Sequence, residues 1–219
     1  MELSVDNIVH RVQVNIDEIA LNDAEFVDGQ DNSEMEEIII HKIQEALRYV
    51  LENADWQYLE PNLVLSSMTN TGSMNFDGKL VGRIELPDKF IRLCYAKFES
   101  WPLYVSDLIY WNDKEYATLK EELATGTWER PKVAMVMNPK KTLELYSAKE
   151  SGEAWSVGLM VEPDGLDEED ISSVEDLSIP DKLVPSFINY LSGLVCVTYQ
   201  WENAAENFFN LASVKMVKK

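Results

Sequence analysis

The spacing of apolar residues changes twice along this chain, and no other feature limits its fold as much. Up to residue 54 the spacing is helical. In "LSVDNIVHRVQVNIDEIAL", Val5, Ile8, Val9, Val12, Ile16 and Ile19 share one helical face, with Ser4 placed to cap the first turn. In "MEEIIIHKIQEALRYVLENA", Ile39, Ile43, Ala46, Leu47, Val50 and Ala54 do the same, behind a capping-box pair at Ser33 and Glu36. The expectation is two amphipathic helices packed as a hairpin. From Pro61 the spacing becomes strand-like. "SMNFDGKLVGRIEL" turns at Asp77-Gly78, a favoured two-residue hairpin turn. "RIELPDKFIRLCYAKFESWP" reads as strand, sharp turn and strand, with Pro87 and Asp88 as the central turn pair. "PLYVSDLI" fits a third strand or a bridge, and "NDKEYATLKEELATG" a short helix. "KVAMVMNPKKTLELYSA" is a second hairpin, turning at 138–141, and "EAWSVGLMVE" is one more strand. After residue 181 the helical spacing returns, as one long helix over about 182–212 that is apolar nearly all round in its first half. Such a helix needs burial by its own domain or by a neighbouring subunit.

The pattern predicts an α+β fold: an N-terminal helical hairpin, a β-hairpin-rich middle with a short helix, and a long C-terminal helix. The expected organisation is a single domain, helical over 1–56, β-rich over 61–161, an acidic linker or arm over 162–180, then a helix and basic tail over 181–219. The middle has no βαβ crossovers, which argues against a doubly wound nucleotide-binding sheet.

Charge narrows the function. The formal net charge is −20, which repels nucleic acid and anionic membranes. The start "MELSVDNIVH" lacks the basic and apolar regions of a secretory signal, and no stretch reaches the length of a membrane span. Cys94 and Cys196 lie in apolar segments far apart, as buried free thiols rather than a disulfide framework or a zinc pattern.

The residues of chemistry are sparse. His10 and His41 lie on helices without a ligand partner at metal spacing. The densest carboxylate run, "EPDGLDEEDISSVED", falls in the linker and departs from the ligand order of a calcium loop. No phosphate-binding glycine loop, nucleophile elbow or zinc-hydrolase helix motif occurs. No catalytic residue, cofactor or metal is expected. The aromatics are denser: Trp101, Tyr104, Tyr110, Trp111, Tyr116 and Trp128 fall within thirty residues. They are read either as core or as the anchors of a protein–protein interface.

The middle of the chain, "IELPDKFIRLCYAKFESWPLYVSDLIYWNDKEY" followed by "WERPKVAMVMNPKKTLELYSA", resembles the head-to-tail connector (adaptor) proteins of tailed bacteriophages. The likeness rests on Leu86, Pro87, Asp88, Phe90, Trp101, Tyr116, Arg130, Pro131, Leu143, Leu145 and Tyr146 and covers roughly 35–212. Size and acidity are similar to those of neck ring proteins of crAss-like phages. The resemblance implies a non-enzymatic virion protein in a homo-oligomeric ring of about twelve copies. The ring would bind portal and other neck or tail proteins while genomic DNA passes through without specific binding. It implies assembly in the host cytoplasm, residence in the virion neck, and no membrane contact. The acidic segment 162–176 and the Lys-rich end depart from the family pattern. Lys215, Met216, Lys218 and Lys219 are expected either to contact portal or to form a frayed tail. The rival readings are an acidic inhibitor that mimics DNA and a hydrolase built on scattered carboxylates.

Overall fold

The computed structural model describes residues 2–20, 32–59, 61–67, 73–74, 80–119, 126–137, 139–150, 152–162 and 176–216. The fold is α+β, with helices toward both ends and a sheet-rich middle. The chain divides into two compact units. Met1–Glu60 and Glu162–Lys219, apart in sequence, form the helical unit, and Pro61–Val161 forms the β unit.

In the helical unit, β1 (Glu2–Ser4) pairs antiparallel with β10 (Asp176–Ser178). Helix α1 (Val5–Ala20) follows directly, and the Ser4 hydroxyl accepts from the Asn7 N–H at 3.3 Å, the expected cap. Helix α2 spans Asn32–Asn53, so Ser33 lies just inside its first turn. Both helices pack on α4 (Val184–Thr198) more extensively than on each other. Where described, their predicted apolar faces are buried apart from half-buried Val5, with Ile8, Val12, Ile39, Ile43 and Val50 inaccessible to solvent. The apolar first half of the expected helix is α4, which is covered by its own unit, and its run from Leu191 to Cys196 is buried throughout.

The expected single C-terminal helix is two helices, α4 and α5 (Glu202–Met216), packed against each other. At the break, the Gln200 N–H donates to the Val197 carbonyl at 3.0 Å and the Trp201 N–H to the Cys196 carbonyl at 2.9 Å. This is the Schellman pattern of a helix stop, with Gln200 at the left-handed position, φ 63°. Glycine usually marks that position, so the stop is hidden from a reading that relies on glycine.

Among the described residues the β unit has two sheets. One orders β2 (Asn62–Ser67), β9 (Ala154–Val161) and β5 (Phe90–Phe98). The other orders β3 (Ser73–Met74), β4 (Leu80–Glu85), β8 (Lys141–Ala148), β7 (Lys132–Met137) and β6 (Ile109–Tyr110). One hydrophobic cluster draws on both: Ile84, Val133, Leu143 and Leu145 from the second, Leu93, Phe98, Trp155 and Leu159 from the first. The β7–β8 hairpin forms as expected. β3 and β4 also pair antiparallel, while the Asp77-Gly78 turn lies outside the described residues. In 102–109 only a bridge forms, Val105 to Ala96, before the two-residue β6 runs parallel to β7. Helix α3 is short, Lys114–Thr118.

The strand–turn–strand expected over 83–102 is corrected in two respects. β4 and β5 do not pair: β4 joins β3 and β8, and β5 joins β9. The segment between them is a corner where the chain passes from one sheet to the other. Alternation specifies which face of a strand is buried, but the pairing partner is a long-range choice. The turn is also shifted by one residue. The Pro87 carbonyl accepts from the Phe90 N–H at 3.1 Å, so Asp88 and Lys89 are its central pair.

Candidate protein-binding surface

Most of the residues behind the family resemblance build the fold. Leu86 is buried at the corner, its N–H donating to the Lys141 carbonyl at 2.8 Å, beside exposed Pro87 and Asp88 and half-buried Phe90. Trp101, 1 % exposed, packs edge-on against Phe98 with centroids 5.0 Å apart, and its indole N–H donates to the Ser147 carbonyl at 3.2 Å. Leu143 and Leu145 point into the intersheet cluster. The other face of β8 carries Glu144 and Tyr146, and Tyr146 packs with Val81, Leu119 and Ala134 beside half-buried Tyr116. Arg130 is exposed in a tight turn closed by its N–H to the Thr127 carbonyl at 2.9 Å, and Pro131 leads into β7.

Glu144 is a buried carboxylate with its partners in place. Arg83, directly opposite on β4, approaches it at 2.9–3.0 Å. The Tyr146 hydroxyl donates to it at 2.6 Å and the Tyr116 hydroxyl at 3.4 Å. Burial first, then the bond to Glu144, pushes the Tyr146 phenol well above its usual range, so it remains a donor. This network fastens α3 to the sheet and has the satisfied form of a structural element. A second carboxylate, Glu153, clasps the crossing from β8 to β9. It accepts from the Lys149 N–H at 2.9 Å, the Glu150 N–H at 3.4 Å and the Ser100 N–H at the end of β5. Burial works to raise its pKa, but these hydrogen bonds outweigh it and hold the carboxyl below the usual value.

The aromatic run divides between the two readings. Trp101 is core. Tyr104, Tyr110, Trp111 and Trp128 are exposed, Trp111 at 54 %, and the neighbouring Leu103 is 72 % exposed. Four of these five lie on one connection, 99–113, that passes from the end of β5 to the edge of β7. Their backbone is held in place. Trp111 donates to the Met135 carbonyl at 2.9 Å, Val105 and Ala96 exchange bonds at 2.7 and 2.9 Å, and Asp113 accepts from the Tyr110 N–H at 2.9 Å. Lys97 lies over the Tyr104 ring and Lys149 over the Trp128 ring. Large amphipathic rings on fixed backbone are suited to anchoring a protein partner.

Charge is divided as sharply. Between residues 61 and 161 stand 12 Lys and Arg against 13 Asp and Glu, a formal −1. The helical unit has the remaining 7 against 26, a formal −19. The exposed aromatics thus lie on a near-neutral unit, and almost all of the net negative charge lies on the other. Sequence reading found both ingredients but not their separation, because the helical unit is assembled from two distant segments.

His10 is exposed beside a shallow groove of about 450 Å³ between α1 and α4, and His41 faces Glu37 at 3.8 Å on α2. Both cysteines are buried and free, and burial pushes the Cys196 thiol up to about 12. Among the described residues no group of three or more His, Cys, Asp or Glu side chains is placed to hold a metal, and no helix is long and apolar enough to cross a membrane. Met216 is not part of a loose tail: it is 3 % exposed and its carbonyl accepts from the Asp55 N–H at 3.2 Å. Lys215 stands in the last turn of α5, while Lys218, Lys219 and segment 163–175 lie outside the described residues. No family model matches the chain, and no curated protein matches it.

Proposed function

We propose that the protein is a structural, non-enzymatic component of a phage neck, an adaptor ring that joins portal to tail and forms part of the genome conduit. The observation behind this reading is the division of charge: −19 on the helical unit, −1 on the β unit with the exposed aromatics. A conduit must let DNA slide without holding it. A wall rich in carboxylates offers phosphates no counterion release and meets them with repulsion. The same protein must grip its neighbours, and a near-neutral surface bearing Tyr104, Tyr110 and Trp111 does so without that repulsion. In this reading the helical unit faces the DNA and the β unit faces protein.

The test is mass. Light scattering of the purified chain alone and mixed with the portal of the same virus should give a complex with about twelve copies per ring. Failure to bind portal under any salt condition refutes the adaptor reading. The acidity of the helical unit also favours a second reading, a DNA-mimicking inhibitor. That reading requires a monomer that competes with DNA for a DNA-binding protein, and a ring on portal would exclude it.

A further inference from the structure

We infer that the helical unit is built to exchange α5 with a second copy of this chain, the α4–α5 joint opening so that α5 lies against the neighbour's α4. The first ground is the sequence of the joint. "VTYQWE", 197–202, contains neither glycine nor proline, and helical spacing runs through it. Nothing in these residues prevents one continuous helix.

The second ground is that the closed joint is strained. Gln200 is at φ 63°, a left-handed conformation that glycine adopts freely and other residues resist. The Tyr199 hydroxyl is buried without a hydrogen-bond partner, a cost that the stacking of its ring on Trp201, centroids 4.8 Å apart, offsets only in part. Only three residues, 199–201, separate the two helices. Straightening the joint releases Gln200 to ordinary helical angles. Short hinges under strain are the ones that exchange elements between copies.

The third ground identifies the partner. The surface that α5 leaves is shaped to α5 itself. Gly193 leaves room for the Phe209 ring, which a Cβ there would meet at 2.6 Å. Tyr190 lies 5.0 Å from the same ring and stacks on Tyr49 at 3.7 Å. Ala204, Ala205, Phe208 and Ala212 are buried. A second copy's α5 reproduces each of these contacts, so exchange keeps the packing and removes the strain. In its ring form this rests on the adaptor reading: passing α5 one way from copy to copy closes a ring, and reciprocal exchange closes a dimer.

The experiment mixes equal amounts of unlabelled and ¹⁵N-labelled full-length chain. The mixture is opened just below its denaturant midpoint, returned to buffer at high salt, and separated by size with light scattering. The expected result is an oligomer fraction in which α4-to-α5 cross-links join light to heavy chains. Gln200→Gly, which places the ordinary residue at the helix stop, should lower that fraction by about fivefold, and Gln200→Ala should not lower it. The inference is overturned if the chain stays monomeric at every concentration. It is equally overturned if the oligomer does not respond to Gln200→Gly, or if all α4-to-α5 cross-links lie within one chain. If exchange fails while unexchanged chains still assemble on portal, the adaptor reading stands alone. If an exchanged dimer forms that does not bind portal, the exchange stands and the adaptor reading falls.

Discussion

At Ser147 the backbone turns into the left-handed region, φ 70°, one residue before the end of β8, where the chain is still buried. Leu80 pairs with Ala148 but Val81 pairs with Tyr146, so Ser147 is the extra residue of a β-bulge. Its carbonyl is thereby aimed at the Trp101 indole. Valine normally outranks glycine in a strand by about 1 kcal/mol. Here the order should reverse. Ser147→Gly should be close to neutral, and Ser147→Val should destabilise by about 2 kcal/mol, since a β-branched residue resists this conformation and the site is crowded. Urea unfolding of both variants checks the order. Glu153 gives a pH signature. Its folded pKa lies below its unfolded value, so its contribution is present above about pH 4.3 and is lost as pH falls through the folded value. Glu153→Gln should cost about 1 kcal/mol at neutral pH, a charge-assisted bond discounted for solvent access. The gap from the unmodified chain should close as pH falls below about 4. A constant gap down to acid would show that the clasp does not depend on the charge.

At the scale of elements, the corner between β4 and β5 is informative because two kinds of residue meet there. Leu86 fills the intersheet cluster, while Pro87 and Asp88 are exposed. Pro87 supplies a carbonyl to the turn, which alanine also supplies, so its own contribution is the restriction of the unfolded chain. Replacing Pro87 and Asp88 together by alanine should cost about 1–2 kcal/mol. Leu86→Ala should cost about 2–5 kcal/mol through the cavity it leaves. Chemical denaturation gives both values, and a double variant that costs more than Leu86→Ala would mean that the turn, not the core, holds the corner. In the adaptor reading the double variant should impair assembly on portal more than folding.

For the whole molecule, the uneven charge predicts an uneven response to salt. Like charges at −19 oppose the compact helical unit, and raising ionic strength from about 0.01 M to about 1 M shortens the screening length from about 30 Å to about 3 Å. Hydrogen-exchange protection in α1, α2, α4 and α5 should rise with salt, while that of β5, β8 and β9 should change little. Equal gains in both units would mean that salt acts through general burial rather than through charge. The basic end calls for a finer cut than its sequence suggested. Met216 is anchored in the helical unit, so deletion from residue 215 would confound folding with binding. Deleting 217–219 removes Val217, Lys218 and Lys219 and leaves Lys215 and Met216 in place. If the end docks on portal, the truncated chain keeps its thermal stability and loses portal co-purification, as high salt does to the intact chain. Undiminished portal binding would leave the contact to the exposed aromatics.

Local chemistry by itself determined the elements and most of their buried faces. The helical faces of α1 and α2, the Ser4 cap, the β7–β8 hairpin and the apolar character of α4 all follow from spacing that a short window contains. The candidate surface was legible only as an aromatic run, because residue type does not distinguish buried Trp101 from exposed Trp111. What the tertiary structure decided depends on residues far apart. β4 and β5 are neighbours in sequence but enter different sheets, because pairing is chosen by the whole set of strands competing for one core. Helix α4 stops at Gln200 without a glycine because packing α5 back onto α4 outweighs the strain of one left-handed residue. The −19 of the helical unit exists only once residues 1–60 and 162–219 come together, since charge adds up over space rather than along the chain.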